Sequence, residues 1–198
     1  NITGYIYFKQ RTKTTPVIVE VYLKGLPYGI HGFHIHEYPI KQNYLNLMKI
    51  GKTPKDLCKT LGGHFNPYGT THGSYKYDTV RHAGDLINNL YVNINQEVKI
   101  KFEDPLISLY ENEPNCIINR SIVIHKDMDD ERLVGLSALS KQFNNKNGKD
   151  CNRINYCYNT ILLNQKDKLT RTELESLKTG NAGNRIACGN IELVSKDT

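Results

Sequence analysis

The chain has 198 residues, 38% hydrophobic and 23% charged, with a mean hydropathy of -0.53. That balance fits one globular domain and excludes an acidic disordered tail, and no stretch approaches the roughly 18 apolar residues of a membrane-spanning helix. The net charge of +6 favours an anionic partner, yet the basic residues are spread without an aromatic-interleaved patch, which argues against nucleic-acid binding.

Short runs alternate with the period of half-buried strands. In chain order they are Ile2 to Phe8, Val17 to Leu23, Ile30 to His36, Leu86 to Ile94, Val98 to Phe102, Ser121 to His125 and Ile186 to Val194. In the clearest, Val17, Val19, Val21 and Leu23 share one face. Gly, Pro and Asn clusters separate the runs and no long helical periodicity intervenes. The pattern predicts an all-β antiparallel sandwich or barrel. Two stretches do not read as strands, Pro39 to Gly63 and Asp127 to Asn184. Inside the second, Thr170-Arg171-Thr172-Glu173 forms a capping box ahead of Leu174 and Leu177, predicting one short helix. The sequence opens on Asn1 without a Met, so the expectation is that something upstream was cleaved, trimmed or left out. No leader reads as a signal peptide, and the N-terminus does not set the compartment.

The seven histidines and five cysteines carry the functional signal. His34 and His36 stand at i and i+2, on one face of a predicted strand. His64 lies in Gly63-His64-Phe65-Asn66-Pro67, His72 follows eight residues on, and His82 and Asp85 sit in Arg81-His82-Ala83-Gly84-Asp85. Three imidazoles and a carboxylate can complete a tetrahedral zinc shell. His125 ends a strand, with Asp127, Asp129 and Asp130 behind it. Imidazole-rich, sulfur-free ligation suits Zn or Cu(II) rather than Mg or Ca. No HExxH, G-x-S-x-G or P-loop motif is present. The cysteines form no CxxC, and an odd count leaves one thiol outside any disulfides.

These residues resemble a family. Gly25-Leu26-Pro27-Tyr28-Gly29-Ile30-His31-Gly32-Phe33-His34-Ile35-His36-Glu37 is similar to the copper,zinc superoxide dismutase signature. So are Gly63 to Pro67, Arg81 to Leu86, and Lys178-Thr179-Gly180-Asn181-Ala182-Gly183-Asn184-Arg185-Ile186-Ala187-Cys188-Gly189. The resemblance runs from Gly4 to about Leu193. It implies a Greek-key β-sandwich or barrel with long metal-binding and channel loops, formed by one domain over 1-198 with insertions at about 39-57 and 133-177. It implies copper on His34, His36, His64 and His125, and zinc on His64, His72, His82 and Asp85, with His64 shared as a bridging imidazolate. His31 becomes a structural strand residue, and Asp129 the carboxylate linking His34 to His72. Cys58 and Cys188 match the family disulfide, which leaves Cys116 as a free thiol and leaves the pairing of Cys151 and Cys157 open.

The activity implied is conversion of superoxide to dioxygen and hydrogen peroxide by copper redox cycling. His64 would release reduced copper, take a proton and return to bridging, Arg185 would attract and orient the anion beside the copper channel, and Thr179 would form the opposite wall. A copper chaperone joins superoxide among the implied partners. The alternative is a non-catalytic decoy of the same fold that binds metal or a copper chaperone. The resemblance is compatible with a cytoplasmic protein, with a secreted one as the alternative. Three departures stand out. The chain starts at the family's second strand. Asn119, Asn190 and Glu192 replace small or apolar residues and count against the usual homodimer. The first and channel loops are lengthened.

Overall fold

The computed structural model describes residues 2–41, 57–133, 135 and 169–194. Among the described residues seven strands form two antiparallel sheets. The first contains β1 (Thr3–Lys9), β2 (Val17–Lys24) and β5 (Glu97–Asp104), in the order β1-β2-β5. The second is ordered β4-β3-β6-β7, from β3 (Gly29–His36), β4 (Asn89–Val92), β6 (Ser121–His125) and β7 (Arg185–Asn190).

Strand β2 is the central strand of its sheet, and its alternation sets the layering. Val17, Val19, Val21 and Leu23 are buried while Ile18, Glu20 and Tyr22 lie on the more open face. The valine face packs in one core with Phe33, Ile35, Leu90, Val92, Val98 and Ile124. Burying each such side chain contributes about 1.5–3 kcal/mol. On the open face of the first sheet Lys9, Glu20 and Lys101 form an ion-pair chain across β1, β2 and β5. Such exposed pairs contribute little to stability.

Strand β3 breaks the half-buried pattern, being buried continuously from His31 to His36. Phe33 and Ile35 enter the core, and the opposite face, carrying His34 and His36, is covered by the loops that follow β3 and β6. Both central neighbours of this face come from far along the chain: β3 pairs with β6 (His34↔Val123, His36↔Ser121), and β6 with β7. The fold thus gathers residues near positions 35, 125 and 185 on one side of one sheet.

The predicted strands recur with adjusted ends. Leu86 to Ile94 contracts to Asn89–Val92, because Asn88 takes a left-handed φ of 60° and its side chain is engaged by loop backbone. The last run stops at Asn190, after which Ile191 exchanges backbone bonds with Asn119 and Arg120. Asn119 itself is left-handed, at φ 61°. The short helix is present as α1 (Arg171–Thr179), with the Thr170–Glu173 capping box formed in both directions. It ends on Gly180 at φ 69°, where a side chain would collide with the Asp129 carboxylate and His72.

Strands β1 and β7 are the open edges of their sheets, and among the described residues no strand lies between them. A groove of about 770 Å³ separates them, lined by Ile6, Phe8, Leu109, Ile122, Ile124 and Ala187 among others. Cys58 and Cys188 are joined across 130 residues, tying the 3-10 turn Cys58–Thr60 to β7, and Cys116 is a buried free thiol. Cys151 and Cys157 lie outside the described residues, as do most of both lengthened loops.

Candidate metal centre

The two-residue spacing on β3 places His34 and His36 on the covered face of the sheet, and β6 delivers His125 beside them. His64 arrives from the following loop, whose backbone is pinned to β3: Phe65 N–H donates to Ile35 O at 2.8 Å and Ile35 N–H to Gly84 O at 2.9 Å. The second of these bonds also anchors the turn that carries His82 and Asp85. All six of these side chains are buried, as is His72.

The ring nitrogens sort into two groups once their other partners are counted. His34 Nε2 lies 2.7 Å from Asp129 Oδ2, His36 Nδ1 3.0 Å from Gly62 O, and His125 Nδ1 3.1 Å from Gly183 O. Each bond fixes a ring and leaves its other nitrogen facing inward, where it meets His64 Nε2. His34 Nδ1 and His64 Nε2 are buried without any hydrogen-bond partner. On the other side of His64, Nδ1 lies 2.7 Å from Asp85 Oδ1, and His82 Nδ1 lies 3.1 Å from the same oxygen. His72 Nε2 is taken by Asp129 Oδ1 at 3.0 Å, so its Nδ1 faces Asp85 and makes no hydrogen bond.

Two groups able to hold a metal ion result: His34, His36, His64 and His125, and His64, His72, His82 and Asp85, with donor atoms within 4.8 Å of one another in each. His64 belongs to both. Orphaned, convergent, buried lone pairs are costly unless a cation takes them.

The electrostatics agree. Burial, assisted by the neighbouring His64, holds His34 and His36 well below the usual histidine range, and burial brings His125 down to about 4. These rings are therefore neutral donors, the form a metal requires. Burial also pushes against ionisation of Asp85 and Asp129, but the adjacent histidines win and hold both carboxylates below their usual range. His72 is pulled the same way, burial lowering it and Asp85 with Asp129 raising it to about 10. Asp85 and Asp129 are thus buried anions that favour positive charge beside them, on His72 or on a metal ion.

Arg185 stands beside the first group. Its guanidinium donates to Cys58 O at 2.6 Å and to Gly62 O at 2.5 Å, and burial pushes its pKa down from the ordinary value. A cavity of about 180 Å³ brings it together with His36, His64, His125 and Thr179. Thr179 Oγ1 donates to Glu175 Oε1 at 2.6 Å, which places Glu175 on the same wall.

The family comparison decides the kinship. The copper/zinc superoxide dismutase (SODC) family matches residues 2–158. The chain belongs to this family. It is 37% identical over 192 residues to a Cu-Zn superoxide dismutase of Onchocerca volvulus, covering 97% of this chain and 89% of the relative. It is 36% identical over 193 residues to an extracellular Cu-Zn superoxide dismutase of Brugia pahangi, covering 98% and 70%. Among solved structures, the clock protein EA4 superposes with a TM-score of 0.64 at 30% identity, covering 98% of this chain and 88% of EA4. The sandwich, the disulfide and the two histidine groups are those of a copper/zinc family member, and copper and zinc are the metals that family membership implies. Among the described residues no helix is long and apolar enough to cross a membrane.

Every site residue expected from the sequence is within the described structure. His31 stands apart from the two groups, its ring nitrogens 2.9 Å from the carbonyls of Pro27 and His125. Asn190 has a use inside the chain, its Oδ1 accepting from Ile40 N–H at 2.7 Å and so holding the start of the first loop. Sequence reasoning missed Asn88, which donates to Asp129 Oδ2 at 3.0 Å and to Gly73 O at 2.9 Å. It also missed Arg120, which donates to Glu37 O at 2.7 Å and lies 4.0 Å over the Phe65 ring. Neither belongs to a readable motif, since the groups they contact are far away in sequence.

Proposed function

We propose that the protein is a superoxide dismutase, turning two superoxide anions and two protons into dioxygen and hydrogen peroxide. The observation that carries this is the small cavity in which a fixed arginine faces the inner histidines of a four-imidazole group. In this reading His34, His36, His64 and His125 would hold copper, and His64, His72, His82 and Asp85 would hold zinc. Copper when bound supplies the one-electron redox couple, and zinc supplies redox-inert charge that orders the loops.

The chain's own residues supply attraction, orientation and protons. Arg185 remains a cation at any working pH, and its two carbonyl bonds hold it against the cavity wall. A diffusing anion is drawn to that charge and turned toward the histidines, while Thr179 and Glu175 bound the space opposite. The cavity, at about 180 Å³, suits a diatomic anion with a few waters, each water taking ~30 Å³. In this reading His64 would hold and give up a proton at Nε2 beside that anion, with Nδ1 against Asp85. Asp129 fixes the His34 and His72 rings, as outer carboxylates do in metal sites.

A second reading, a decoy that binds metal or a copper chaperone without catalysis, is favoured by one observation, the likeness to a protein described as a clock protein. The complete ligand set and Arg185 favour the enzyme. A disulfide persists best in an oxidising compartment, and a relative is described as extracellular, so these support the secreted alternative over a cytoplasmic location. Metal analysis of the copper- and zinc-loaded protein, followed by a superoxide-consumption assay, tests the reading. Bound copper and zinc with rapid consumption is the expected result. Both metals bound without consumption would establish the decoy.

A further inference from the structure

Two residues just past Asp129 adopt a backbone conformation that side chains avoid. Glu131 and Arg132 have φ of 54° and 62°, consecutive left-handed positions without a glycine. Such strain persists only where the surroundings hold it. Here the surroundings are the loop that carries His72. Glu131 is hydrogen-bonded to the Ser74 hydroxyl. Arg132, the largest fully buried side chain described, donates from Nη2 to Asp78 Oδ1 at 2.5 Å and from Nη1 to Thr71 Oγ1 at 3.3 Å. Asp78 Oδ2 in turn accepts the Ser74 N–H at 2.7 Å.

These contacts grip the zinc-side loop on both flanks of His72, at Thr71 and at Ser74 with Asp78. On the other side, the Glu131 N–H donates to Asp129 Oδ1 at 2.7 Å, the same oxygen that meets His72 Nε2. The turn that aims the Asp129 carboxylate is therefore tied to the loop whose ring it aims at.

The geometry points to Arg132, through its bonds to Asp78 and Thr71, as a positioning residue for zinc: it clasps the His72 loop to the Asp129 turn and so slows loss of the ion. The inference rests on zinc occupying the second cluster. The clasp grips the His72 loop directly and reaches the copper group only through Asp129 and His34, so its effect falls first on zinc. Outer-shell contacts of this kind change metal affinity by ~10–100-fold.

The test uses the full-length protein loaded with copper and zinc, and follows transfer of each metal to a chromophoric chelator. Arg132→Gly is the informative variant, since glycine accepts φ 62° and removes the strain together with the clasp. Zinc transfer about 10-fold faster, with copper occupancy unchanged, is the expected result. Asp78→Asn gives the same acceleration from the other end of the bond, and the double variant is no worse than either alone. Zinc retained at the wild-type rate in both single variants would overturn the clasp, as would loss of both metals in parallel, which marks general loosening. Wild-type protein that takes up no zinc would overturn the metal reading itself, and the clasp with it.

Discussion

Arg185 shows how one side chain is made functional by its neighbours. The Cys58 and Gly62 carbonyls take its donors on one side, leaving a fixed positive charge facing the cavity that His36, His64 and His125 line. Charge focused in a cleft raises the capture rate of an anion by about 10-fold or more, and salt screens the effect. Arg185→Ala is therefore expected to keep both metals, slow superoxide consumption about 10-fold at low ionic strength, and flatten the dependence of rate on salt. Stopped-flow rates over a salt series check this, and an unchanged rate at low salt would remove Arg185 from the mechanism. The seven metal-facing residues were legible in one dimension because period-2 spacing and glycine-flanked turns mark them. The carbonyls of Gly62 and Gly183 that orient His36 and His125 were not, since any residue carries a carbonyl. Nor was the Arg132 contact, because a left-handed arginine looks like any other in a sequence.

Among elements, α1 is legible in the sequence from its cap: Thr170 and Glu173 satisfy each other's orphaned backbone donors. Thr170→Ala is expected to cost about 1 kcal/mol. Equilibrium denaturation measures that loss, and an unchanged midpoint would show that tertiary contacts alone hold the helix. Those contacts are present as well, with the Ser176 hydroxyl donating to Asp130 Oδ1 at 2.8 Å and Leu177 buried. Strand β2 was equally legible, as its valines alternate without interruption. The run from Leu86 to Ile94 misled at its start, because Leu86 is buried through loop packing and Asn88 is committed to Asp129 and Gly73. Local pattern reports burial, and burial is shared by strands and by loops folded over a site. The order β4-β3-β6-β7 could not be read from pattern alone, since pairing partners such as His34 and Val123 are far apart in the chain.

For the whole molecule, the disulfide from Cys58 to Cys188 is a covalent constraint on the site that spans 130 residues. It joins the turn whose carbonyl holds Arg185 to the strand that begins with Arg185. Cys58→Ser is expected to lower stability by about 2–5 kcal/mol, measured as a drop in denaturation midpoint for the metal-free protein, and a midpoint equal to wild type would contradict it. The basic balance noted at the outset, a net +6, adds a weaker, salt-screened attraction for anions to the fixed charge of Arg185. Two histidine groups that share His64, an arginine-walled cavity and this frame support the proposed dismutase activity. The decisive measurement is the decay of superoxide with catalytic amounts of the copper- and zinc-loaded protein, with dioxygen and hydrogen peroxide quantified together. Many turnovers per chain, equal yields of the two products and loss of the rate on removal of copper are the predicted result. Decay at the spontaneous rate, with both metals bound, would contradict it.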